Sequence, residues 1–329
     1  MAIRLINGED LLSKQVTDMS RLRPVLAENA DHIAANATLR KDEWEMVDER
    51  VNQVLRERLT IVDDLRGRGL VTPVSLGTII RITERLEDFD PAELSYDGDT
   101  APKADRPSYL RDVRPVPVIS KDFRINWRQL EASRERGDPL DLTAAETATR
   151  KVRDRLQALI TLGTTGGPTG SGIPGFLTAP NRITVDMDNQ WTTSDGDPRE
   201  YVLKMLEAAY ANNLFGPFII YVPKNYWAML QDDYSEAKGE RTHLERMTAF
   251  EDVEAVRPLD ALPDDNVVMV QLTRDVMDLS EAQAVTTVQW EKNPFVTNFR
   301  VLTVAGPQIK SIETDEGETV NGIVHLREP

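Results

Sequence analysis

The chain has 329 residues, of which 40% are hydrophobic and 29% charged, and a formal net charge of −16. A chain of this length has room for a sizeable core in one large domain or two modest ones. Its 55 acidic and 39 basic residues argue against a basic nucleic-acid-reading surface, no apolar run approaches the roughly 20 residues of a membrane span, and the lack of cysteine excludes disulfides and thiolate metal sites.

The first predicted element is a long amphipathic helix from about Thr38 to Gly67, because apolar residues recur there at spacings of three and four. Gly67 and Gly69 end this helix. Such a helix buries its apolar stripe either on its own domain or beneath a neighbouring subunit, and the sequence leaves both open. The stripe consists of Trp44, Val47, Val51, Val54, Leu55, Leu59, Val62 and Leu65.

Two extended runs follow, Val74–Leu86 and Val113–Trp127, both rich in β-branched and aromatic residues. They predict a long hairpin, whose connection over residues 87–112 is polar and too long for a tight turn. Pro115 and Pro117 indicate that the second run lies at a sheet edge or is loosely paired. A polar tip of this kind becomes ordered when it lies on a partner, so the hairpin indicates a building block of an assembly.

A second amphipathic helix is predicted from Thr143 to Leu162, with Thr143 and Glu146 spaced as a capping box and Gly163 as its stop. Its other faces are basic, and a solvated polar face is the ordinary role of such residues. The apolar face consists of Ala145, Ala148, Val152, Leu156, Leu159 and Ile160, and the basic residues are Arg150, Lys151, Arg153 and Arg155.

The helix leads directly into a glycine-rich segment, Gly163–Gly175. This segment lacks the lysine followed by Ser or Thr that a phosphate-binding loop requires. Its glycines also follow a helix, whereas a dinucleotide-binding loop lies between a strand and a helix. We therefore predict a structural loop whose glycines allow positive φ and let two backbone segments approach closely.

The second half alternates helices and short strands, which predicts a mixed α+β body. A turn is predicted at Gly306-Pro307. Helices are predicted at 201–212, 223–230 and 241–250, and strands at 218–222, 266–272, 284–290 and 299–305.

The acidic surplus is concentrated between Ile183 and Gln283, where 20 Asp and Glu accompany 8 Lys and Arg. Solubility is the ordinary role of such an imbalance. The more specific hypothesis is an exposed domain that is kept from binding nucleic acid.

No arrangement of residues indicates catalysis. His32, His243 and His325 are isolated in the sequence, and no nucleophile-elbow motif accompanies a serine. The pairs Asp232-Asp233 and Asp264-Asp265 lack the spaced oxygens of a calcium loop. We predict no catalytic residue, no cofactor and no metal site, and hence a protein that is not an enzyme.

Several segments resemble the major capsid proteins of tailed bacteriophages, which share the Hong Kong 97-type fold with encapsulin-like shell proteins. The resemblance extends from about Thr38 to Asn181, and beyond that it rests on element order and on the strand Phe299–Val304. The segments that carry it are Lys121–Gly137, Pro139–Leu142 with the helix that follows, Asp42–Asp48, Asp63–Leu70, Gly98–Pro102 and Gly172–Leu177.

The resemblance implies an α+β Hong Kong 97-like capsid fold in five segments. These are an N-terminal arm (1–70), an extended hairpin loop (71–128), a peripheral domain with a long spine helix (129–182), an axial domain (183–284), and a return strand of the peripheral domain with a C-terminal tail (285–329).

The resemblance also implies a function: a major capsid protein that self-assembles into hexamers and pentamers of an icosahedral shell around phage double-stranded DNA, without sequence-specific binding. Such a virion protein is assembled in the host cytoplasm, with portal, scaffolding and decoration proteins as further partners and no membrane. An encapsulin shell around a cargo enzyme is the alternative, and a free soluble α+β enzyme is the third hypothesis.

Two sets of site residues follow from this implied architecture. The basic residues Arg150, Lys151, Arg153 and Arg155 would face the lumen and its DNA. Lys103 is the only lysine of the hairpin tip, so it is the one candidate for the Lys–Asn isopeptide cross-link that some phages of this fold form. A lone surface lysine is ordinarily solvated, and we expect no cross-link. The implied inter-subunit contacts are Trp44, Val47, Val51, Asp90, Asp97, Lys103, Arg106 and Arg111.

Overall fold

The computed structural model describes residues 46–47, 49–51, 60–86, 96, 109–136, 142–166, 172–193, 196–232, 241–293, 296–313 and 319–328. The chain divides into two compact units. Unit 1 consists of residues 1–59, 117–157 and 281–305, and unit 2 of residues 60–116, 158–280 and 306–329. Both units combine helices with strands, so the predicted α+β class is confirmed.

The predicted helices and strands of the second half occur in the predicted order, and the structure adds a helix at 127–136 and several short strands that were not predicted. Residues 46–47 and 49–51 are helical, and the further helices are α1 (Thr60–Gly67), α2 (Trp127–Arg136), α3 (Thr143–Leu162), α4 (Pro198–Ala211), α5 (Lys224–Leu230) and α6 (His243–Thr248). The strands are β1 (Val71–Pro73), β2 (Ile80–Leu86), β3 (Tyr109–Pro115), β4 (Val118–Asn126), β5 (Ile183–Asp186), β6 (Phe218–Val222), β7 (Val253–Pro258), β8 (Val267–Gln271), β9 (Met277–Asn293), β10 (Val296–Ile309), β11 (Ile312–Glu313), β12 (Thr319–Val320) and β13 (Ile323–Arg327).

Unit 1 is built from the first part of α3 and from a sheet that contains β4. Strand β4 pairs antiparallel with β10, and the opposed residues Phe123 and Phe299 stack with ring centroids 4.9 Å apart. All six residues of the predicted apolar face of α3 are at most 3% exposed. Burial of this stripe, which recurs at the helical period, stabilises the helix in place.

The helical residues near position 50 pack within unit 1. Val47 and Val51 are 0% and 2% exposed, and the guanidinium of Arg50 pairs with Glu146 of α3. Of the two possibilities that the sequence left open, packing on the chain's own domain is therefore the one observed at these residues.

Unit 2 is built on a five-stranded sheet with the strand order β5-β13-β8-β6-β7. All five residues of its strand β6 are buried, as the continuous apolar sequence predicts for a strand covered on both faces. Helix α1 ends in a Schellman motif: Leu70 donates its amide to the Leu65 carbonyl, Gly69 donates to Arg66, and Gly69 has a φ of 68°. Gly67 and Gly69 therefore end this helix as predicted.

The C-terminal segment differs from its prediction. Residues 285–329 were expected to supply a return strand and a tail, yet β13 is an inner strand of the five-stranded sheet. It pairs parallel with β5 and antiparallel with β8. Ile323, Val324 and Leu326 are fully buried there, and this burial explains why so short a terminal segment is held in the core of unit 2.

The predicted hairpin is shorter than expected. Among the described residues, strand β2 pairs antiparallel with β3 in a two-stranded sheet, whereas β4 belongs to the four-stranded sheet β1-β9-β10-β4 as an edge strand. The run predicted over 113–127 is thus two strands in different sheets. Pro115 and Pro117 cause the break because neither can donate a backbone hydrogen bond, and the predicted edge position is confirmed for β4.

The glycine-rich segment forms the close-packed loop that the sequence predicts. Gly163 and Gly166 have φ values of 72° and 84°, and Thr164 and Ile173 exchange backbone hydrogen bonds of 2.8 and 2.9 Å. A Cβ atom at Gly175 would lie 2.3 Å from the amide nitrogen of Gly163. Only glycine permits this approach.

The turn predicted at Gly306-Pro307 is wrong. Both residues lie inside β10, in a run of seven buried residues that ends the strand. Burial of the neighbouring apolar residues outweighs the local turn preference of the Gly-Pro pair. Among the described residues, no helix has the length and apolar character needed to cross a membrane.

Candidate assembly surface

The β2–β3 hairpin has one apolar and one polar face. Its register places Ile80 opposite Pro115, Ile82 opposite Val113 and Glu84 opposite Arg111, and opposed residues of an antiparallel pair point to the same side. We call this side the apolar face. Its described side chains are Ile80, Ile82, Glu84, Tyr109, Arg111, Val113 and Pro115, of which Pro115 is buried.

The apolar face lies open to solvent. Ile82 and Tyr109 are each 58% exposed, and Val113 is 36% exposed. At the base of the hairpin, Leu76 and Ile79 are 55% and 64% exposed. A contiguous set of exposed, large apolar side chains is the usual mark of a surface that another molecule covers.

The polar face is turned toward the body of unit 2. Arg81 binds the carboxylate of Asp278 with both terminal nitrogens, at 3.1 and 3.0 Å, and donates to the Ser280 hydroxyl at 2.7 Å. Asp278 is 2% exposed, accepts a 2.8 Å hydrogen bond from Thr72, and has the Lys310 ammonium 3.9 Å away. A two-pronged guanidinium–carboxylate contact fixes orientation as well as distance. The hairpin is therefore held by its polar face, which leaves the apolar face outward.

The sequence did not indicate the Arg81–Asp278 contact, since the two residues lie 197 positions apart. The available signal was the charge at alternate positions: Arg81, Asp112 and Arg114 share one face, and a hairpin that keeps its charges on the inner side must present its isoleucines outward.

The predicted contact residues fall into three groups. Arg111 is exposed, and its guanidinium nitrogen Nε lies 3.1 Å from Glu84 across the hairpin. Val47 and Val51 are core residues of the single chain, so their prediction as contacts to a neighbour is corrected. The remaining predicted contacts lie outside the described residues: Trp44, Asp90, Asp97, Lys103 and Arg106.

Three of the four basic residues predicted to face the lumen are exposed on α3: Arg150, Lys151 and Arg155. The prediction is wrong for Arg153, which is 5% exposed and contacts Asp154 at 3.0 Å. The helical period explains the difference. Residue 153 lies four positions after the buried Thr149 and three before the buried Leu156, so it extends the buried stripe.

His325 has structural surroundings. His325 is 4% exposed; Arg182 donates to its Nδ1 at 3.2 Å, and its Nε2 lies 2.8 Å from Oδ1 of Asn266. Burial first, and then the positive charges of Arg182 and Arg327, lower the pKa of His325 from 6.5 to about 4. A neutral imidazole with a hydrogen-bond partner at each ring nitrogen is a satisfied structural residue in the core of unit 2. Within the described parts of the chain, no three Asp, Glu or His side chains group as metal ligands.

Comparisons with known proteins identify the family of the chain and its relatives. The model of a family described as "Family of unknown function (DUF6260)" matches residues 33–321. The type 1 encapsulin shell protein EncA of Myxococcus xanthus is 25% identical over 279 residues, which cover 82% of this chain and 89% of that protein. A diheme-cytochrome–encapsulin shell fusion protein of Kuenenia stuttgartiensis is 23% identical over 204 residues, 61% of this chain and 53% of that protein.

Solved structures give the same architecture. A virus-like particle from Pyrococcus furiosus matches with a TM-score of 0.55 and 15% identity, covering 85% of this chain and 98% of its own. The capsid of Myoviridae phage XM1 matches with a TM-score of 0.60 and 16% identity, covering 80% and 91%. The predicted Hong Kong 97-like fold is therefore confirmed. EncA is by its name a shell protein and the XM1 structure is a capsid, which agrees with the prediction that the chain is not an enzyme.

Proposed function

The chain belongs to the DUF6260 family of unknown function, and from its capsid-type fold we propose that copies of it assemble into a closed protein shell. The observation that carries this proposal is the exposed apolar face of the hairpin. An isolated chain leaves these isoleucine, tyrosine and valine side chains in water, and a neighbouring copy would cover them.

The free energy of such a contact is modest for each subunit and large for a shell. Full burial of one large apolar side chain contributes about 1.5–3 kcal/mol. Each subunit of a closed lattice covers one neighbour and is covered by another, so weak contacts add up cooperatively. Hexamers and pentamers in an icosahedral lattice are the arrangement that we propose, with the hairpin of one subunit lying on the next.

For the contents of the shell, we first propose phage double-stranded DNA, which makes the chain a major capsid protein of the virion. The similarity to the phage XM1 capsid supports this. The exposed cations Arg150, Lys151 and Arg155 would serve contacts with the DNA backbone, which depend on charge and not on base sequence.

An encapsulin compartment is the second candidate, and the relationship to EncA over 82% of the chain favours it. In that case the lumen would hold a cargo enzyme in place of a genome. The two candidates share the assembly contact and differ in what a purified particle contains.

The assembly proposal is tested by electron microscopy and light scattering of the purified protein and of its Ile82→Asp variant. We expect closed particles for the parent protein and small soluble species for the variant, because a carboxylate on the apolar face opposes burial. Asp260→Ala is the control, since it removes an exposed charge that lies outside the hairpin. A parent protein that remains monomeric at high concentration contradicts the proposal.

The contents are tested on the same particles. Nuclease-protected double-stranded DNA identifies a capsid, and a single co-purifying protein identifies an encapsulin. Charge reversal at Arg150, Lys151 and Arg155 adds a second readout: it should lower DNA retention in a capsid while the particles still close.

A further inference from the structure

Unit 2 displays a pair of aromatic rings outside its core. Tyr210 and Phe215 stack with ring centroids 5.9 Å apart and an interplanar angle of 23°. Tyr210 is 38% exposed and Phe215 is 61% exposed. The shell contact described above does not involve either ring.

The backbone holds this pair in place. Helix α4 ends at Ala211, Asn213 has a φ of 57°, and the amide of Leu214 donates to the Ala209 carbonyl at 3.0 Å. Leu214 is consequently 4% exposed while its neighbour Phe215 points away from the core. Gln271 donates to the Phe215 carbonyl at 2.7 Å and fixes the position of the backbone.

Carboxylates lie next to the rings. The Tyr210 hydroxyl donates to Asp252, and a Cβ at Gly216 would lie 2.9 Å from the Asp252 carbonyl oxygen, so glycine is what lets that backbone come close. The hydrogen bond to Asp252 first, then burial, and then the charges of Asp252 and Glu251 raise the pKa of Tyr210 to about 12. Glu207, one helical turn before Tyr210, is exposed on the same side of α4.

No positive charge lies in the two segments that supply these groups. Residues 205–222 and 247–256 contain no lysine or arginine. Two exposed rings beside three carboxylates form a surface that attracts a cation to the ring faces and pairs it with the acids. A neutral apolar partner would leave the carboxylates desolvated, and nucleic acid would be repelled.

We propose that this surface, Tyr210, Phe215, Glu207, Glu251 and Asp252, binds a basic segment of another protein, one that carries arginine or lysine next to an apolar side chain. Arginine suits it best, since the guanidinium plane stacks on a ring while its edge pairs with a carboxylate. The inference concerns the surface of unit 2 and does not require that the shell proposal be correct.

The test uses the full-length protein and a fluorescent peptide of alternating arginine and leucine, with a glutamate–leucine peptide as the negative probe. We expect saturable binding of the first peptide that weakens as salt is added. Phe215→Ser should weaken it about tenfold, because the ring supplies the apolar anchor. Glu251→Lys should weaken it about fivefold through charge repulsion.

Two control variants separate this surface from the general negative charge of the chain. Asp260→Lys changes an exposed acid that follows the carboxyl end of β7, whereas the proposed surface lies at the amino end of that strand. Val118→Ser removes an exposed apolar side chain in unit 1. Both should bind the peptide within about twofold of the parent protein.

Three results would overturn the inference. The first is equal binding by all variants, which indicates attraction by net charge alone. The second is the absence of saturable binding by the parent protein. The third is a change of particle assembly in Phe215→Ser, which makes the surface a contact between copies of this chain.

Discussion

Arg81 of the hairpin and Asp278 of β9 form a two-pronged ion pair with nitrogen–oxygen distances of 3.1 and 3.0 Å. The carboxylate is 2% exposed and the arginine side chain 19% exposed. Because the pair lies at the base of the hairpin, it determines the direction in which the apolar face points. Its loss should affect both the stability of unit 2 and the presentation of that face.

For Arg81→Ala we expect the free energy of unfolding to fall by about 2–4 kcal/mol, because a buried carboxylate loses its main partner. Of its described partners, Thr72 and the more distant Lys310 remain. Thermal or urea unfolding measures this change, and light scattering of the folded variant measures assembly. Arg111→Ala is the control, because its pair with Glu84 is exposed and contributes at most about 1 kcal/mol. Equal stability of the two variants would contradict the role of Arg81.

Asp64 makes a different kind of buried contact. Tyr221 donates to its carboxylate at 2.8 Å, and Arg257 pairs with the other oxygen. Burial nevertheless raises the pKa of Asp64 above its usual 3.8, with the Tyr221 hydrogen bond and the arginines opposing that shift. In the folded protein the charged form is therefore less favourable than it is in water.

Asp64→Asn should consequently be close to neutral for stability at pH 7, because the amide keeps an acceptor for Tyr221 without the desolvated charge. Tyr221→Phe should lower the free energy of unfolding by about 1–2 kcal/mol, since it leaves that oxygen without its donor. Urea unfolding of both variants measures the two effects. If Asp64→Asn is the more damaging change, the ion pair with Arg257 is a net source of stability.

Local signals in the sequence predicted much of the fold. The helical spacing from Ala145 to Ile160 predicted α3, the continuous apolar run Phe218–Val222 predicted β6, and the glycines of 163–175 predicted the close loop. Each of these features is decided by residues that lie near one another in the chain. The order of the elements and the resemblance then implied the family of folds.

Features that depend on distant partners were not predictable in this way. The inner place of β13 in its sheet and the Arg81–Asp278 pair both arise from residues far apart in sequence. The outward direction of Ile82 belongs with them, because it follows from the anchoring of Arg81 on the opposite face. The amino-acid composition of a strand does not determine which of its faces packs against the rest of the protein.

Gly175→Ala tests the close loop after α3. A Cβ there would lie 2.3 Å from the Gly163 nitrogen and 2.7 Å from the Thr161 carbonyl oxygen, and both are backbone atoms that cannot rotate away. We expect a loss of about 3 kcal/mol or more in the free energy of unfolding. Gly77→Ala is the control, since nothing lies within 4 Å of a Cβ at that site. Comparable stability of the two variants would show that the loop moves to admit the methyl group.

His325 makes stability depend on pH. Its pKa is about 4 in the folded protein and ordinarily 6.5, so the unfolded chain binds the extra proton throughout that interval. The contribution of the neutral imidazole is complete above pH 6.5 and is lost progressively as the pH falls to about 4, a total of about 3 kcal/mol. Carboxylates also titrate near the lower limit, so the comparison is made with His325→Gln, which keeps a donor and an acceptor beside Arg182 and Asn266. Urea unfolding at pH 7.5, 6 and 5 should show a steeper loss for the parent protein than for this variant, and parallel losses would place the acid sensitivity elsewhere.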